Sequence, residues 1–232
     1  KENNMKLIFI HGSGGSKESW YYQTKHFTSS EAIDLPGHPI GEPSSSIEGY
    51  VDWLHGYICD RGYKDIVLAG HSLGGGIVLL YAIKYPQNIK GIIPVGSGAK
   101  LRVHPMYLEA LEKAIADPEL LEDFPDPTYD LINLELVKTL RRRALENGPG
   151  VTLNDMLACD KFNIIDRLSE IQVPTLAICG TEDLMTPPKY SDYLVDKIND
   201  CRSLIIPGGT HYVFAEKPDE VNKAIEDFIN DP

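Results

Sequence analysis

A chain of 232 residues, 42% hydrophobic and 24% charged, has the size and composition of one globular domain that buries a sizeable core. Its formal net charge of −12 repels nucleic acid and anionic membrane, so neither is an expected partner. No apolar run approaches the roughly 20 residues that span a bilayer, and Lys1-Glu2-Asn3-Asn4-Met5 lacks the apolar core of a signal peptide. Cys59, Cys159, Cys179 and Cys201 are scattered without metal-ligand spacing. They read as free buried thiols in a reducing cytoplasm.

In chain order, the apolar run Lys6–Ile10 before His11-Gly12 predicts a buried strand. Ile33 and its neighbours, before Asp34-Leu-Pro-Gly37, predict a second. Ile47, Tyr50, Val51, Leu54, Tyr57 and Ile58 recur at helical spacing. Asp65–Ala69 is a third strand, followed by a helix from Leu73 to Tyr85 that stops before Pro86. Ile89–Gly96, Val173–Gly180 and Ser203–Ile206 complete six strands, and Pro218 to about Ile229 is a closing helix. Strands alternating with helices imply parallel crossovers and a sheet covered on both faces. From about Leu101 to Ile165 no strand is predicted. Helical patterns there are punctuated at Asp117-Pro118 and Phe124-Pro-Asp-Pro127. The expected organisation is a core of residues 1–100 and 166–232, with a helical lid, 101–165, inserted in it.

Gly70-His71-Ser72-Leu73-Gly74 matches G-x-S-x-G, directly after one predicted strand and opening a predicted helix. In that setting the motif is a nucleophile elbow, a sharp turn that thrusts the serine hydroxyl out at the carboxyl end of the sheet. The helix N-terminus behind it offers N–H groups to developing negative charge. The rival is a serine N-cap on a Gly-rich turn. A phosphate loop is disfavoured, because Gly74-Gly75-Gly76 lacks the Lys-Ser/Thr ending.

From Ile8-Phe-Ile-His-Gly12 to Pro207-Gly-Gly-Thr-His211 the chain resembles the α/β-hydrolase superfamily, and within it small esterase-like serine hydrolases with a helical lid. The resemblance implies the α/β-hydrolase fold, trimmed to about six parallel strands with helices on both faces. By the same resemblance, the family's two N-terminal antiparallel strands lack a counterpart, and Pro39 stands where its loop motif often continues with Gly.

A serine hydroxyl needs a base. His211 follows the last predicted strand, at a carboxyl end, where parallel sheets gather ligands. It also comes last in the order Ser, acid, His that the resemblance implies. His11, His38 and His71 read as structural, and His26, His55 and His104 lack a strand-end setting. By resemblance the acid is Asp183, in Gly180-Thr-Glu-Asp183 after the fifth strand, with Glu182 and a helix-capping role for Asp183 as rivals. The loop after the fourth strand, Gly96-Ser-Gly-Ala-Lys100, offers no carboxylate.

Two oxyanion donors are expected, the backbone N–H groups of Leu73 and, by resemblance, Ser13. Tyr107, Phe124, Tyr129, Met156 and Phe162 are candidate walls of an acyl pocket or lid core, and Met185 and Tyr212 flank the acid and base. The expected activity is hydrolysis of a small-molecule carboxylic ester through an acyl-enzyme, with no cofactor and no metal. A cyanohydrin lyase or perhydrolase of the same fold and a receptor-like module with little turnover are the alternatives. A lyase would need an added cation, for which Lys100 or Arg102 stands just past the fourth strand.

Overall fold

The computed structural model describes residues 5–121 and 129–231. In chain order they form β1 (Lys6–Ile10), a 3-10 turn (Lys17–Trp20), α1 (Tyr21–His26), β2 (Glu31–Ile33), α2 (Ile47–Asp60), β3 (Ile66–His71), α3 (Leu73–Lys84), β4 (Ile89–Val95) and α4 (Pro105–Ala116). Then come α5 (Leu134–Asn147), α6 (Pro149–Lys161), β5 (Thr175–Gly180), α7 (Lys189–Lys197), β6 (Cys201–Ile206), α8 (Val213–Glu216) and α9 (Pro218–Asn230).

The six strands make one sheet in the order β2-β1-β3-β4-β5-β6, and every pairing is parallel. Parallel neighbours need a crossover, which the helices supply. Alternate strand residues face opposite sides. Ile8, Ile10, Ile66, Leu68, Ile92 and Ala177 pack with the apolar stripes of α2 and α3. Leu7, Phe9, Val67, Ala69, Ile93, Val95, Leu176 and Ile178 pack with Trp20, Phe214 and the α9 residues Val221, Ile225 and Phe228. Each buried Val, Leu, Ile or Phe side chain among them contributes about 1.5–3 kcal/mol of transfer free energy. Two cores on one sheet explain why β3 and β5 are buried along their full length, while the edge strand β6 is partly exposed.

From β1 the chain turns to one edge of the sheet, and from β3 onward it builds toward the other. That reversal leaves a crevice at the carboxyl ends of β1 and β3. The register pairs Ile10 with Gly70, so the turn after β1 and the turn after β3 begin side by side.

The predicted strand bounds shift for local reasons. β3 begins at Ile66 and runs on through His71, because Asp65 takes a positive φ of 51°. β4 ends at Val95, before Gly96 at φ 54°. β5 starts at Thr175, after Pro174, which has no N–H for a ladder. The short α1 and α8 had no predicted counterpart. The segment between β4 and β5 carries α4, α5 and α6, and its Ile132, Leu136, Val137 and Leu140 pack on Ala215 of α8. All four cysteines are free, but burial holds fully only for Cys159 and Cys179. Cys59 is exposed, because it falls beside the buried stripe of α2 formed by Ile47, Tyr50, Val51, Leu54 and Ile58. No described helix is long and apolar enough to cross a membrane.

Candidate active site

Ser72 is the single residue between β3 and α3, with φ 52° and ψ −110°. A residue with a β-carbon held there costs on the order of 1–3 kcal/mol. Its backbone is fixed all the same: the Ser72 N–H donates to Val95 O at 2.9 Å, and the Ser97 hydroxyl donates to Ser72 O at 2.7 Å. The Ser72 side chain makes no capping bond to α3, so the N-cap reading is set aside. The surrounding glycines are needed for space. A β-carbon on Gly70 would lie 2.1 Å from Gly74 O, and one on Gly74 would lie 2.5 Å from Ile10 O. Leu73 opens α3, where backbone N–H groups have no intrahelical acceptor.

Asp183 and His211 come together across two strand ends. Asp183 follows β5, His211 follows β6, and both are buried. His211 Nδ1 lies 2.9 Å from Asp183 Oδ2. The other carboxylate oxygen, Oδ1, accepts the N–H groups of Met185 at 3.0 Å and Thr186 at 2.9 Å. The Thr186 hydroxyl donates to Oδ2 at 2.9 Å. Burial alone would push the Asp183 carboxyl up, but the bond and charge of His211 and the Thr186 donors outweigh it and hold it below its ordinary value. Asp183 therefore caps the turn at 185–186 and grips the histidine at once. The rival acid, Glu182, is exposed, with Oε1 beside the Thr181 hydroxyl.

His71 is buried against His211, Tyr212 and Phe214, with ring centroids 4.6, 4.6 and 4.7 Å away. Its Nε2 lies 2.9 Å from His211 O. Burial and the neighbouring His211 drive its pKa well below the ordinary value, so the neutral ring donates there and steadies the His211 backbone. The turn after β1 lies next to the elbow: a β-carbon on Gly12 would sit 3.3 Å from Ser72 Cβ.

A model of the alpha/beta hydrolase family matches residues 7–224. The chain belongs to that family. It is 26% identical to (E)-2-((N-methylformamido)methylene)succinate hydrolase of Acinetobacter baylyi, over 96% of this chain and 89% of that one. It is 25% identical to a pimeloyl-[acyl-carrier protein] methyl ester esterase of Neisseria meningitidis, over 97% and 76%. Among solved structures, a thermophilic esterase superposes with a TM-score of 0.79 at 30% identity, over 97% of this chain and 89% of that one. These likenesses support hydrolase activity.

In this alpha/beta hydrolase a narrow pocket of about 20 Å³ opens beside the turn after β1. Gly12–Ser16 form one side, and Tyr129, Leu140, Ala144 and Tyr212 the other. Tyr129 and Tyr212 meet edge to face, centroids 5.2 Å apart. Tyr107, exposed on α4, and Met185, whose N–H serves Asp183, do not line this pocket. Phe162 is core, buried at Gly76 of α3, and Met156 is half-buried on α6. Phe124 lies outside the described residues. Arg102 is exposed and faces Asp160 at 3.6 Å, and Lys100 bridges to Asn163 through backbone.

Sequence reasoning missed Thr186, although its place three residues after Asp183 is the spacing of a capped turn. It also missed the side chains that reach the β1 turn from the insert, Asn147 and Asp155. Asn147 Nδ2 donates to Gly14 O at 3.0 Å and Gly15 O at 2.8 Å. Asp155 accepts from the Gly14 N–H at 2.8 Å and lies 2.8 Å from His38 Nε2.

His38 is a fully buried ring whose second nitrogen, Nδ1, faces Leu35 O and Pro36 O at 3.2 and 3.1 Å. Burial alone would lower its pKa, but the bond and charge of Asp155 and the two carbonyls win and raise it. A histidine raised on folding contributes stability in full below its unfolded value of about 6.5, and loses it as pH climbs through the folded value. The margin in thermal midpoint of wild type over His38→Gln is therefore expected to be widest below about pH 6.5 and to shrink toward alkaline pH. Thermal unfolding of both proteins across that range checks this, and a margin that grows with pH would contradict it.

Proposed function

We propose that the chain is a serine hydrolase that cleaves small carboxylic esters through an acyl-enzyme. Ser72 Oγ attacks the ester carbonyl, and His211 Nε2 takes its proton and returns it to the departing alkoxide. Water, deprotonated by the same nitrogen, then attacks the acyl-serine, and the acid and free serine are released. Asp183 keeps the proton on His211 Nδ1, so that Nε2 is the free base, and it stabilises the imidazolium without accepting that proton. The N–H groups of Ser13 and Leu73 hold the oxyanion. No cofactor is invoked. The free thiols favour a cytoplasmic setting.

The observation that carries this reading is the buried 2.9 Å contact between Asp183 and His211, with the His211 ring centroid 4.6 Å from that of His71, the residue just before the strained serine at the strand-to-helix turn. The esterase names among its relatives support an ester substrate. A chromogenic short-chain ester is the test. A burst of alcohol equal to the enzyme concentration, absent in Ser72→Ala, is expected. Equal turnover in the two proteins would end the proposal.

Tyr129 lines the pocket across from the β1 turn. Tyr129→Ala is expected to raise kcat/KM for longer acyl chains several-fold relative to acetate esters. An ester panel checks this. A lowered unfolding midpoint with unchanged preference would make the ring packing alone.

A further inference from the structure

We propose that Asp155, on α6, is a positioning residue for the oxyanion hole: by gripping the Gly14 amide it fixes the turn that presents Ser13 N–H, and so makes the helical insert part of the catalytic apparatus. This rests on the serine hydrolase reading of the same site.

A trans peptide points its N–H opposite to its C=O. Ser13 N–H shares a plane with Gly12 C=O, and that carbonyl is held from the other side. His11 Nδ1 lies 2.8 Å away, and Gly15 N–H donates to it at 3.1 Å. His11 Nε2 accepts from Leu35 N–H at 3.1 Å, so Nδ1 carries the proton and donates. Burial and the neighbouring His38 pull the His11 pKa down to about 4, which keeps that tautomer neutral. The plane of Ser13 N–H is thus fixed from the sheet side.

The next plane is fixed from the insert. Gly14 N–H donates to Asp155 Oδ2 at 2.8 Å. The carbonyls of Gly14 and Gly15 accept from Asn147 on α5. Gly14 sits at φ 61°, and a β-carbon there would lie 2.1 Å from the Thr152 hydroxyl of α6. The turn is therefore pressed against α6, and Ser13 lies between two clamped planes. Its own hydroxyl meets Cys159 of α6 at 3.6 Å.

Asp155 is itself built for this. Its side chain is fully buried, and a buried carboxylate is tolerated only when its oxygens are satisfied. Beyond Gly14, it takes His38 Nε2 at 2.8 Å and the Tyr50 hydroxyl of α2 at 2.6 Å. A charged acceptor makes a bond roughly twice as strong as a neutral one.

Asp155→Ala and Asp155→Asn are compared with wild type on one short ester, with affinity for a trifluoromethyl ketone, which forms a tetrahedral adduct on an active serine. Removing an oxyanion donor outright costs about 10²–10³ in kcat, and displacing one should cost less. Asp155→Ala is expected to lose about 10–10²-fold in kcat with KM little changed, and ketone affinity should fall in parallel. Asp155→Asn keeps an acceptor for Gly14 and should recover part of both. If Asp155→Ala fails to fold, Asp155→Asn decides alone, by a joint loss of kcat and ketone affinity. Folded variants with wild-type kcat and ketone affinity, or with a loss confined to KM, would overturn the proposal. Failure of the hydrolase reading looks different: wild type itself would form no ketone adduct at Ser72.

Discussion

Ser72→Ala is expected to lose about 10⁶ in kcat, the scale seen when a triad nucleophile is removed, while folding normally. The two halves of that result have separate causes. The loss follows because alanine carries no hydroxyl that could form an acyl-enzyme at the elbow. The intact fold follows because what fixes residue 72 is backbone: its N–H on Val95 and its C=O on the Ser97 hydroxyl. The side chain makes no cap bond whose removal would unravel α3. Alanine meets the same φ restriction as serine, so the strain is unchanged. Steady-state kinetics with circular dichroism and thermal unfolding read both halves. Residual activity near wild type would remove Ser72 from the chemistry, and loss of folding would mean that its hydroxyl is structural.

Asp183→Asn is expected to lose on the order of 10²–10⁴ in kcat, against little change for Glu182→Gln. In wild type both carboxylate oxygens are occupied: Oδ1 by the N–H groups of Met185 and Thr186, Oδ2 by His211 and the Thr186 hydroxyl. An asparagine must keep its oxygen on the two backbone donors, so its NH₂ faces His211 Nδ1. That donor demands a lone pair on Nδ1 and moves the proton to Nε2, the wrong tautomer for a base. The pH sign is also set. A carboxyl depressed on folding contributes stability above its unfolded value of about 4, and loses it as pH falls through the folded value. Asp183→Asn should therefore destabilise more at neutral pH than under acid. Kinetics of both variants, after confirmation of folding, decide the acid. A crippled Glu182→Gln beside a healthy Asp183→Asn would reverse the assignment.

Much of this was legible in the sequence because it is written in local pattern. The core strands are short apolar runs that end in glycine turns, so β1, β3, β4 and β5 were visible to within two residues. The elbow is contiguous, and Ser72 needed only a strand before and a helix after. Asp183 and His211 are proposed from their strand-end settings and by family likeness; nothing in the spacing of residues 183 and 211 tells of their 2.9 Å contact. The short α8 went unseen because four residues carry no periodicity, and its packing on Trp20 and the insert comes from tertiary structure. The least legible part was the grip on the turn after β1. Asp155, His38 and Tyr50 are up to 117 residues apart and share no motif. A lone Asp within a polar helix face reads as solvated until the fold buries it.

The most direct measurement of the central claim is covalent labelling with an activated phosphonate, followed by peptide mapping of wild type and Ser72→Ala. One label per chain, on Ser72, is expected, and none on the alanine variant. A label on another residue, or undiminished labelling of Ser72→Ala, would contradict it.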